Sequence, residues 1–133
     1  MGKSKIRALV VDDEQVVRDF FKRLLPLFNL EALDAEDGHK AIEMVKKDKF
    51  DLFFLDVCMP GLNGLETYRE IRKLNPCATV VMITGYAVED VLEQARKEGV
   101  HSAIRKPFDI NQIKEIIDKV GMDRDKMGLE YLN

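Results

Sequence analysis

Apolar residues in this chain alternate between short continuous runs and longer stretches with helical spacing. The continuous runs are Ile6–Val11, Leu52–Leu55 and Val80–Ile83, with weaker versions at Leu30–Ala35 and Val100–Ile104. Runs of this length are typical of strands that are covered on both faces, whereas strands with one exposed face alternate apolar and polar residues. The pattern therefore predicts five buried strands.

Five amphipathic helices are predicted between and after these strands. The apolar positions that mark them are Val16, Val17, Phe20, Phe21, Leu24 and Leu25; Ala41, Ile42 and Val45; Leu65, Tyr68, Ile71 and Leu74; Val88, Val91, Leu92 and Ala95; and Ile110, Ile113, Ile116, Ile117 and Val120. Spacings of three and four residues place such side chains on one helix face. Local signals predict that Pro26 ends the first helix, that Gly99 caps the fourth, and that the fifth starts at Asp109 and stops before Gly121.

Strands that alternate with helices predict an α/β fold, in which a parallel sheet lies between two helix layers. Right-handed crossovers make this an open, doubly wound (βα)5 domain. A chain of 133 residues has the usual size of one domain. We expect the domain to occupy residues 1–121, and residues 122–133 to be a C-terminal tail or the beginning of a linker.

Composition and charge exclude several classes of protein. A hydrophobic content of 46% with 34% charged residues fits a folded, water-soluble chain. The net charge of -3 gives no overall attraction to nucleic acid or to anionic membranes. No apolar run approaches the roughly 18 residues of a membrane span, and the N-terminus lacks a secretory pattern. Cys58 and Cys77 match no metal-binding spacing, so we expect reduced thiols and a cytoplasmic location.

Polar side chains that suit one chemistry follow the predicted strands. Asp12 and Asp13 come after the first run, Asp56 after the third, Thr84 after the fourth and Lys106 after the fifth. In an open parallel sheet the functional site lies beyond the carboxyl ends of the strands. We therefore predict that these five side chains converge.

Crowded carboxylates repel and raise one another's pKa unless a cation joins them. Mg²⁺ prefers one or two carboxylates, water and phosphate oxygens. Lys106 adds a positive charge for a phosphoryl oxygen and Thr84 a hydroxyl donor, so the set predicts a phosphoryl-transfer site. Asp56 stands alone at its strand end and is the candidate nucleophile, since a carboxylate can form an aspartyl phosphate.

The same residues, in the same order, resemble those of a known family. Asp12-Asp13, Asp56 followed by Met59-Pro60-Gly61-Leu62-Asn63-Gly64, Thr84, and Lys106-Pro107-Phe108 are similar to the motifs of the receiver domain of two-component response regulators. The resemblance covers about residues 5 to 120. It implies a flavodoxin-like fold with strand order 2-1-3-4-5, as in chemotaxis receivers.

The resemblance also implies a role for each acid. Asp56 would accept a phosphoryl group from a histidine kinase, a phosphotransfer protein or a small phosphodonor. Asp13, Asp56 and the backbone carbonyl of Cys58 would bind Mg²⁺ directly, and Asp12 would hold a metal-bound water. The reaction would be self-catalysed, as would dephosphorylation, so the domain would be a signalling phosphoacceptor and not an enzyme with a separate substrate.

Activation is implied to follow the phosphoryl group. Lys106 would pair with it, Thr84 would move to bond it, and the Lys106–Pro107 peptide would be cis. Output would arise from a shift of the fourth helix, fifth strand and fifth helix. One departure is Ala103, at a position where the family usually has Tyr or Phe. We therefore predict that activation relies on the loop after Thr84, with Tyr86 in place of the missing ring.

The implied partners are a sensor histidine kinase or phosphotransfer protein, which would dock near the first helix and the Lys106-Pro107-Phe108 loop. A downstream output domain or protein and a homodimer are further expected partners. Direct contact with nucleic acid or a membrane is not expected.

Other interpretations explain parts of the pattern. Asp12-Asp13-Glu14 would also suit a helix N-terminus without any metal. A phosphatase of the haloacid dehalogenase type also uses a strand-end aspartate and Mg²⁺, but it needs a second acid where this chain has Cys58. A nucleotide-binding domain would need a P-loop or a dinucleotide fingerprint, and neither is present. The non-enzymatic alternative is an unphosphorylated receiver-like interaction module.

Overall fold

The computed structural model describes the backbone of residues 5–85 and 89–132, and the side chains of residues 5–85 and 89–121. Strands and helices alternate along this part of the chain. In chain order they are β1 (Ile6–Val11), α1 (Gln15–Leu24), a 3₁₀ helix (Leu25–Phe28), β2 (Leu30–Ala35), α2 (Gly38–Lys47), β3 (Leu52–Asp56), α3 (Gly64–Leu74), β4 (Thr79–Thr84), α4 (Glu89–Lys97), β5 (Ser102–Arg105) and α5 (Ile110–Leu132).

The five strands form one parallel sheet in the order β2-β1-β3-β4-β5. This confirms the predicted doubly wound fold and its strand order. The register aligns the carboxyl ends of the central strands, since Val11 pairs with Leu55 and Asp56 pairs with Ile83. Residues that follow β1, β3 and β4 therefore emerge at one edge of the sheet.

The strands lie close to their predicted positions. β1 and β2 have the predicted limits, and β3 extends by one residue to include Asp56. β4 includes Thr84 as its last residue. β5 starts later than predicted, at Ser102. The Val100 N–H donates to the Ala95 carbonyl of α4, and the His101 N–H is the first to donate to β4, at the Val80 carbonyl.

The sheet carries a core on each face. Ala8 and Val10 of β1 pack in the cluster formed with α1 and α5, whereas Leu9 and Val11 pack in the cluster formed with α2, α3 and α4. β3 follows the same alternation, with Phe54 in the first cluster and Phe53 in the second, and all its side chains are buried. Burial of such a side chain contributes about 1.5–3 kcal/mol, so β3 is firmly held on both faces.

Three predicted helix signals are confirmed. α1 ends at Leu24, and Pro26 lies in the following 3₁₀ helix at a position where its missing N–H costs no helical hydrogen bond. Gly99 has a φ of +107°, the left-handed conformation of a residue that closes a helix. The Asp109 side chain accepts a hydrogen bond of 2.9 Å from the Asn111 N–H at the start of α5.

The prediction that the fifth helix stops before Gly121 is wrong, because α5 continues to Leu132. A helical glycine costs only about 1 kcal/mol relative to alanine, and no proline follows it to block the next turn. The backbone of residues 122–132 is therefore helical, while their assignment as a tail or linker stays a prediction. Val88, predicted to begin the fourth helix, lies outside the described residues. No helix within the described residues has both the length and the apolar character needed to cross a bilayer.

Replacing Gly121 by Ala is expected to raise the free energy of unfolding by about 0.5–1 kcal/mol, measured by urea denaturation. An added Cβ would meet no atom within 4 Å, so only helix propensity changes. Gly61→Ala is the matched control, because the space beside Gly61 is equally open but its φ is +78°. Gly61→Ala should lower the free energy of unfolding by about 1 kcal/mol, because alanine is strained at a positive φ. Destabilisation by Gly121→Ala would mean that α5 is not helical at this position in solution.

Candidate metal and phosphoryl-transfer site

The turn between β1 and α1 carries two acids of unequal exposure. Asp12 is fully buried and Asp13 is exposed. The Asp12 N–H donates to the Ala35 carbonyl at 3.2 Å, and Asp12 Oδ1 accepts the Glu14 N–H at 2.8 Å. The Glu14 N–H precedes α1, whose N-cap is Glu14 itself and has no side-chain cap, so the helix-terminus interpretation does not explain Asp12 and leaves Oδ2 without a role.

Asp56 is the last residue of β3 and is buried. Its Oδ1 accepts a hydrogen bond of 3.2 Å from the Cys58 N–H, so the backbone of Cys58 lies beside the carboxylate while the residue itself is exposed. Asp12, Asp13 and Asp56 each offer one oxygen, and these oxygens lie within 4.8 Å of one another. The predicted convergence of the three acids is confirmed.

Lys106 enters the same cluster from the end of β5. Its Nζ lies 3.1 Å from Asp12 Oδ2, 3.1 Å from Glu14 Oε1 and 3.6 Å from Asp56 Oδ2. Apart from this ion pair, Asp12 Oδ2 is a buried oxygen with no hydrogen-bond partner among the described residues. A buried carboxylate oxygen of this kind, beside two further acids, fits a hard divalent cation such as Mg²⁺.

The electrostatics of the cluster follow from burial and like charge. Burial and the negative charge of Asp12 raise the pKa of Asp56 to about 7, against the partial opposition of Lys106 and the Cys58 N–H. Burial lowers the pKa of Lys106, but its contacts with Asp12, Asp56 and Glu14 outweigh that effect and leave the pKa above its ordinary value. Lys106 is therefore a permanent cation, and a second cation at the acids would favour the ionised form of Asp56.

Thr84 and Lys106 are held together by the backbone. Thr84 is the buried last residue of β4, and its carbonyl accepts the Lys106 N–H at 2.8 Å. Its neighbour in the sheet is Arg105 of β5. The Lys106–Pro107 peptide is cis, as predicted. The ends of β4 and β5 thus deliver a hydroxyl and an ammonium group to the edge of the sheet where the acids lie.

The loop after Asp56 is fixed by the start of α3. The Gly64 N–H donates to the Val57 carbonyl at 2.9 Å, and a Cβ on Gly64 would lie 2.4 Å from the Asp56 carbonyl oxygen. Asn63 and Glu66 form a reciprocal capping box in front of this contact. Only glycine permits such an approach, so α3 packs directly against the backbone that presents Asp56.

The structure shows the surroundings of Ala103, which occupies the position where the family usually has an aromatic residue. Ala103 lies in β5, half-buried, where it pairs with Met82 and packs against the core on the α3 and α4 side. Its methyl group cannot act as a rotating ring. Tyr86, predicted to replace that ring, lies outside the described residues, so the hypothesis stays a prediction.

Two residues at the site were missed from the sequence. Glu14 was interpreted only as a helix-start acid, but its carboxylate accepts a hydrogen bond from Lys106 at 3.1 Å. Arg18, on α1, donates to the Asp12 carbonyl at 2.9 Å. The one available signal was spacing, since Arg18 is one helical turn after Glu14 and therefore on the same side of α1.

Comparison with known proteins places this site in a family. The model of the response regulator receiver domain matches residues 8–118 of the chain. The chain belongs to this family. The chain is similar in sequence to chemotaxis protein CheY from Thermotoga maritima, with 32% identity over 121 residues, or 90% of this chain and 98% of that protein.

Longer members of the family are also similar. A response regulator receiver protein of Anaeromyxobacter sp. (strain Fw109-5) is 34% identical over 83% of this chain, but the match spans 46% of that protein. The crystal structure of NtrX from Brucella abortus superimposes with a TM-score of 0.88 at 28% identity, covering 98% of this chain and 30% of NtrX. The receiver chain therefore spans less than half the length of these two relatives.

Asp56→Asn is expected to stabilise the metal-free receiver by a margin that grows with pH. The folded pKa of about 7 lies above the ordinary value of 3.8, so ionising Asp56 costs folding free energy progressively from about pH 4 to pH 7, and the whole cost is present above pH 7. Asparagine does not ionise, so the variant does not pay this cost in folding free energy. Urea denaturation should give a gain of roughly 1–3 kcal/mol at about pH 8, and much less at about pH 5.

Asp118→Asn is the control for this measurement, because Asp118 is exposed on α5. Its effect on the free energy of unfolding should be small, because the side chain is exposed. An Asp56→Asn margin that is equal at both pH values would contradict the burial-driven rise in the pKa of Asp56.

Proposed function

We propose that this receiver accepts a phosphoryl group on Asp56 in a Mg²⁺-dependent reaction and signals through the conformational change that follows. The phosphodonor is the phosphohistidine of a sensor kinase or phosphotransfer protein, or a small acyl phosphate. The observation that carries the proposal is the buried carboxylate at the end of β3, with Lys106 Nζ 3.6 Å away and Asp12 and Asp13 beside it.

Asp12, Asp13, Asp56 and the backbone carbonyl of Cys58 are the groups that would hold Mg²⁺. The support is the approach of three carboxylate oxygens to within 4.8 Å, together with the buried Oδ2 of Asp12 that lacks a hydrogen-bond partner. When bound, the ion would neutralise the acids and the phosphoryl oxygens.

The residues of the chain supply the remaining steps. A carboxylate oxygen of Asp56 attacks phosphorus, a new P–O bond forms, and the bond from phosphorus to the donor's imidazole nitrogen or carboxylate oxygen breaks. Lys106, permanently cationic, pairs with the negative phosphoryl oxygens. The Thr84 hydroxyl donates a hydrogen bond to the new group, and Asp56 is held in place because β3 is packed on both faces.

The donor protein would dock on the surface of α1 and the loop that follows β5. Val16 on α1 exposes 75% of its area, and Leu27 in the following 3₁₀ helix exposes 79%. Phe20 stacks on Phe108 of the loop at a centroid distance of 5.4 Å, which joins the two parts into one apolar surface. Val16 is two residues from Glu14, so a partner on this surface would bring its histidine close to Asp56. Output through an attached domain or a separate protein belongs to the same proposal.

An unphosphorylated interaction module is the alternative, and no feature of the site favours it. Two buried acids of like charge are costly, and Lys106 offsets only part of that cost, as the raised pKa of Asp56 indicates. A module that only binds partners would gain nothing from that arrangement.

Incubation with Mg²⁺ and acetyl phosphate, followed by intact-mass measurement, tests the proposal. The wild-type protein should gain the mass of one phosphoryl group, and chelation of Mg²⁺ should abolish the gain. Asp56→Asn should show no adduct. Lys106→Met should slow its formation by about 100-fold, because a positioned charge is lost from the transition state.

Asp51→Asn is the matched control for this experiment. Asp51 precedes the same strand at its opposite end, where its Oδ2 accepts the Arg7 N–H, a bond that an asparagine oxygen can keep. This variant should be phosphorylated like the wild type. No adduct under any donor or Mg²⁺ concentration would favour the interaction module, and an adduct on Asp56→Asn would place the acceptor elsewhere.

A further inference from the structure

Arg18 joins the acid cluster to a neighbouring strand. Its guanidinium donates through Nη1 to the Asp12 carbonyl at 2.9 Å and through Nε to Asp34 Oδ2 at 3.0 Å. The side chain is only 13% exposed, so both bonds are largely shielded from water. Arg18 thereby ties the β1–α1 turn to β2.

Nearly every polar group of Asp12 is fixed by such a bond. Its N–H donates to the Ala35 carbonyl, its carbonyl accepts from Arg18, and its Oδ1 accepts the Glu14 N–H. These bonds restrict the orientation of the carboxylate, whose Oδ2 lies 3.1 Å from Lys106 Nζ in the acid cluster. Of the three, the bond from Arg18 is the only one made by a side chain outside the turn itself.

Lys22 is a second cation that contacts Asp34, and it can be compared with Arg18. Its Nζ lies 3.2 Å from Asp34 Oδ1, so Lys22 and Arg18 share the same anchor on β2. No bond between Lys22 and Asp12 is present among the described residues. The two cations therefore differ in whether they hold the acid cluster, although both stabilise α1 against β2.

We propose that Arg18 is a positioning residue for the metal site, which acts by holding the Asp12 backbone so that its carboxylate stays beside Asp13 and Asp56. The proposal rests on the proposed function, since it requires that the acids bind Mg²⁺. A guanidinium has donors in a rigid fork and can bridge two acceptors, whereas an ammonium group is a single point charge. Groups that orient a metal ligand commonly change affinity by about 10-fold or more.

The direction in which the Mg²⁺ affinity changes when Arg18 is replaced shows whether Arg18 acts by positioning Asp12 or only through its charge. A positive charge near the acids repels Mg²⁺, so an Arg18 that acted only through its charge would weaken the metal site, and removing it would tighten binding. A positioning residue has the opposite effect, because its loss lets the Asp12 carboxylate take several orientations. Arg18→Lys keeps the charge and loses the fork, so it isolates the geometric part.

The test is calorimetric titration of Mg²⁺ into the metal-free receiver. Arg18→Met and Arg18→Lys should each raise the dissociation constant by about 10-fold. Lys22→Met should leave it unchanged or slightly lower. Val120→Ala, a truncation in the buried face of α5, should lower thermal stability without changing the dissociation constant, which controls for general destabilisation.

A second measurement needs no metal. The amide resonance of Glu14 reports its hydrogen bond to Asp12 Oδ1, so in the metal-free protein it should shift or broaden in both Arg18 variants and stay in place in Lys22→Met. Loss of ion pairing with β2 alone would affect the Lys22 and Arg18 variants alike.

The outcomes distinguish the two proposals. A wild-type receiver that binds no Mg²⁺ would overturn the proposed function and the role of Arg18 together. A wild type that binds Mg²⁺, with unchanged or tighter binding in Arg18→Lys, would overturn the role of Arg18 alone. If Arg18→Met does not fold, Arg18→Lys decides the question, since it preserves the charge and most of the side-chain volume.

Discussion

The burial of two neighbouring carboxylates, Asp12 and Asp56, is the constraint on which the rest of this receiver depends. Both carboxylates are buried, and burial together with the charge of Asp12 raises the pKa of Asp56 to about 7 despite the opposing charge of Lys106. Holding like charges this close also requires that the backbone segments that carry them resist moving apart. The two-sided core, the capping contacts and the parallel register together supply that rigidity.

The sheet and the first turns of the helices share this task. β1 and β3 are adjacent and carry buried side chains on both faces, so the two acids cannot separate without disrupting both hydrophobic clusters. Gly64 lets α3 press on the backbone of Asp56, and Arg18 braces the backbone of Asp12 from α1. The acid cluster of this receiver is therefore held by a rigid part of the fold.

The fold and the main site residues could be predicted because they depend on local pattern and strand order. Continuous apolar runs identified the strands, and the residues after them had to meet at one edge. Gly121 was misjudged because a helix stop signal is weak without a proline or a left-handed turn. The contacts of Glu14 and Arg18 depend on side-chain reach across elements, which residue spacing alone does not determine. The consequences of Ala103 are predicted to depend on Tyr86, which lies outside the described residues.

The unbroken α5 determines what kind of information the C-terminal segment can carry. A flexible segment fixes only the range of distances between its two ends, because its direction varies after a few residues. A helix also transmits an angle, since each residue advances it by about 1.5 Å and about 100°. The side of the helix on which any residue from 122 to 132 lies is therefore set by how Ile113 and Ile117 pack on the sheet. A small rotation of α5 about its own axis would therefore turn residues 122–132 to a different direction without changing the length of the helix.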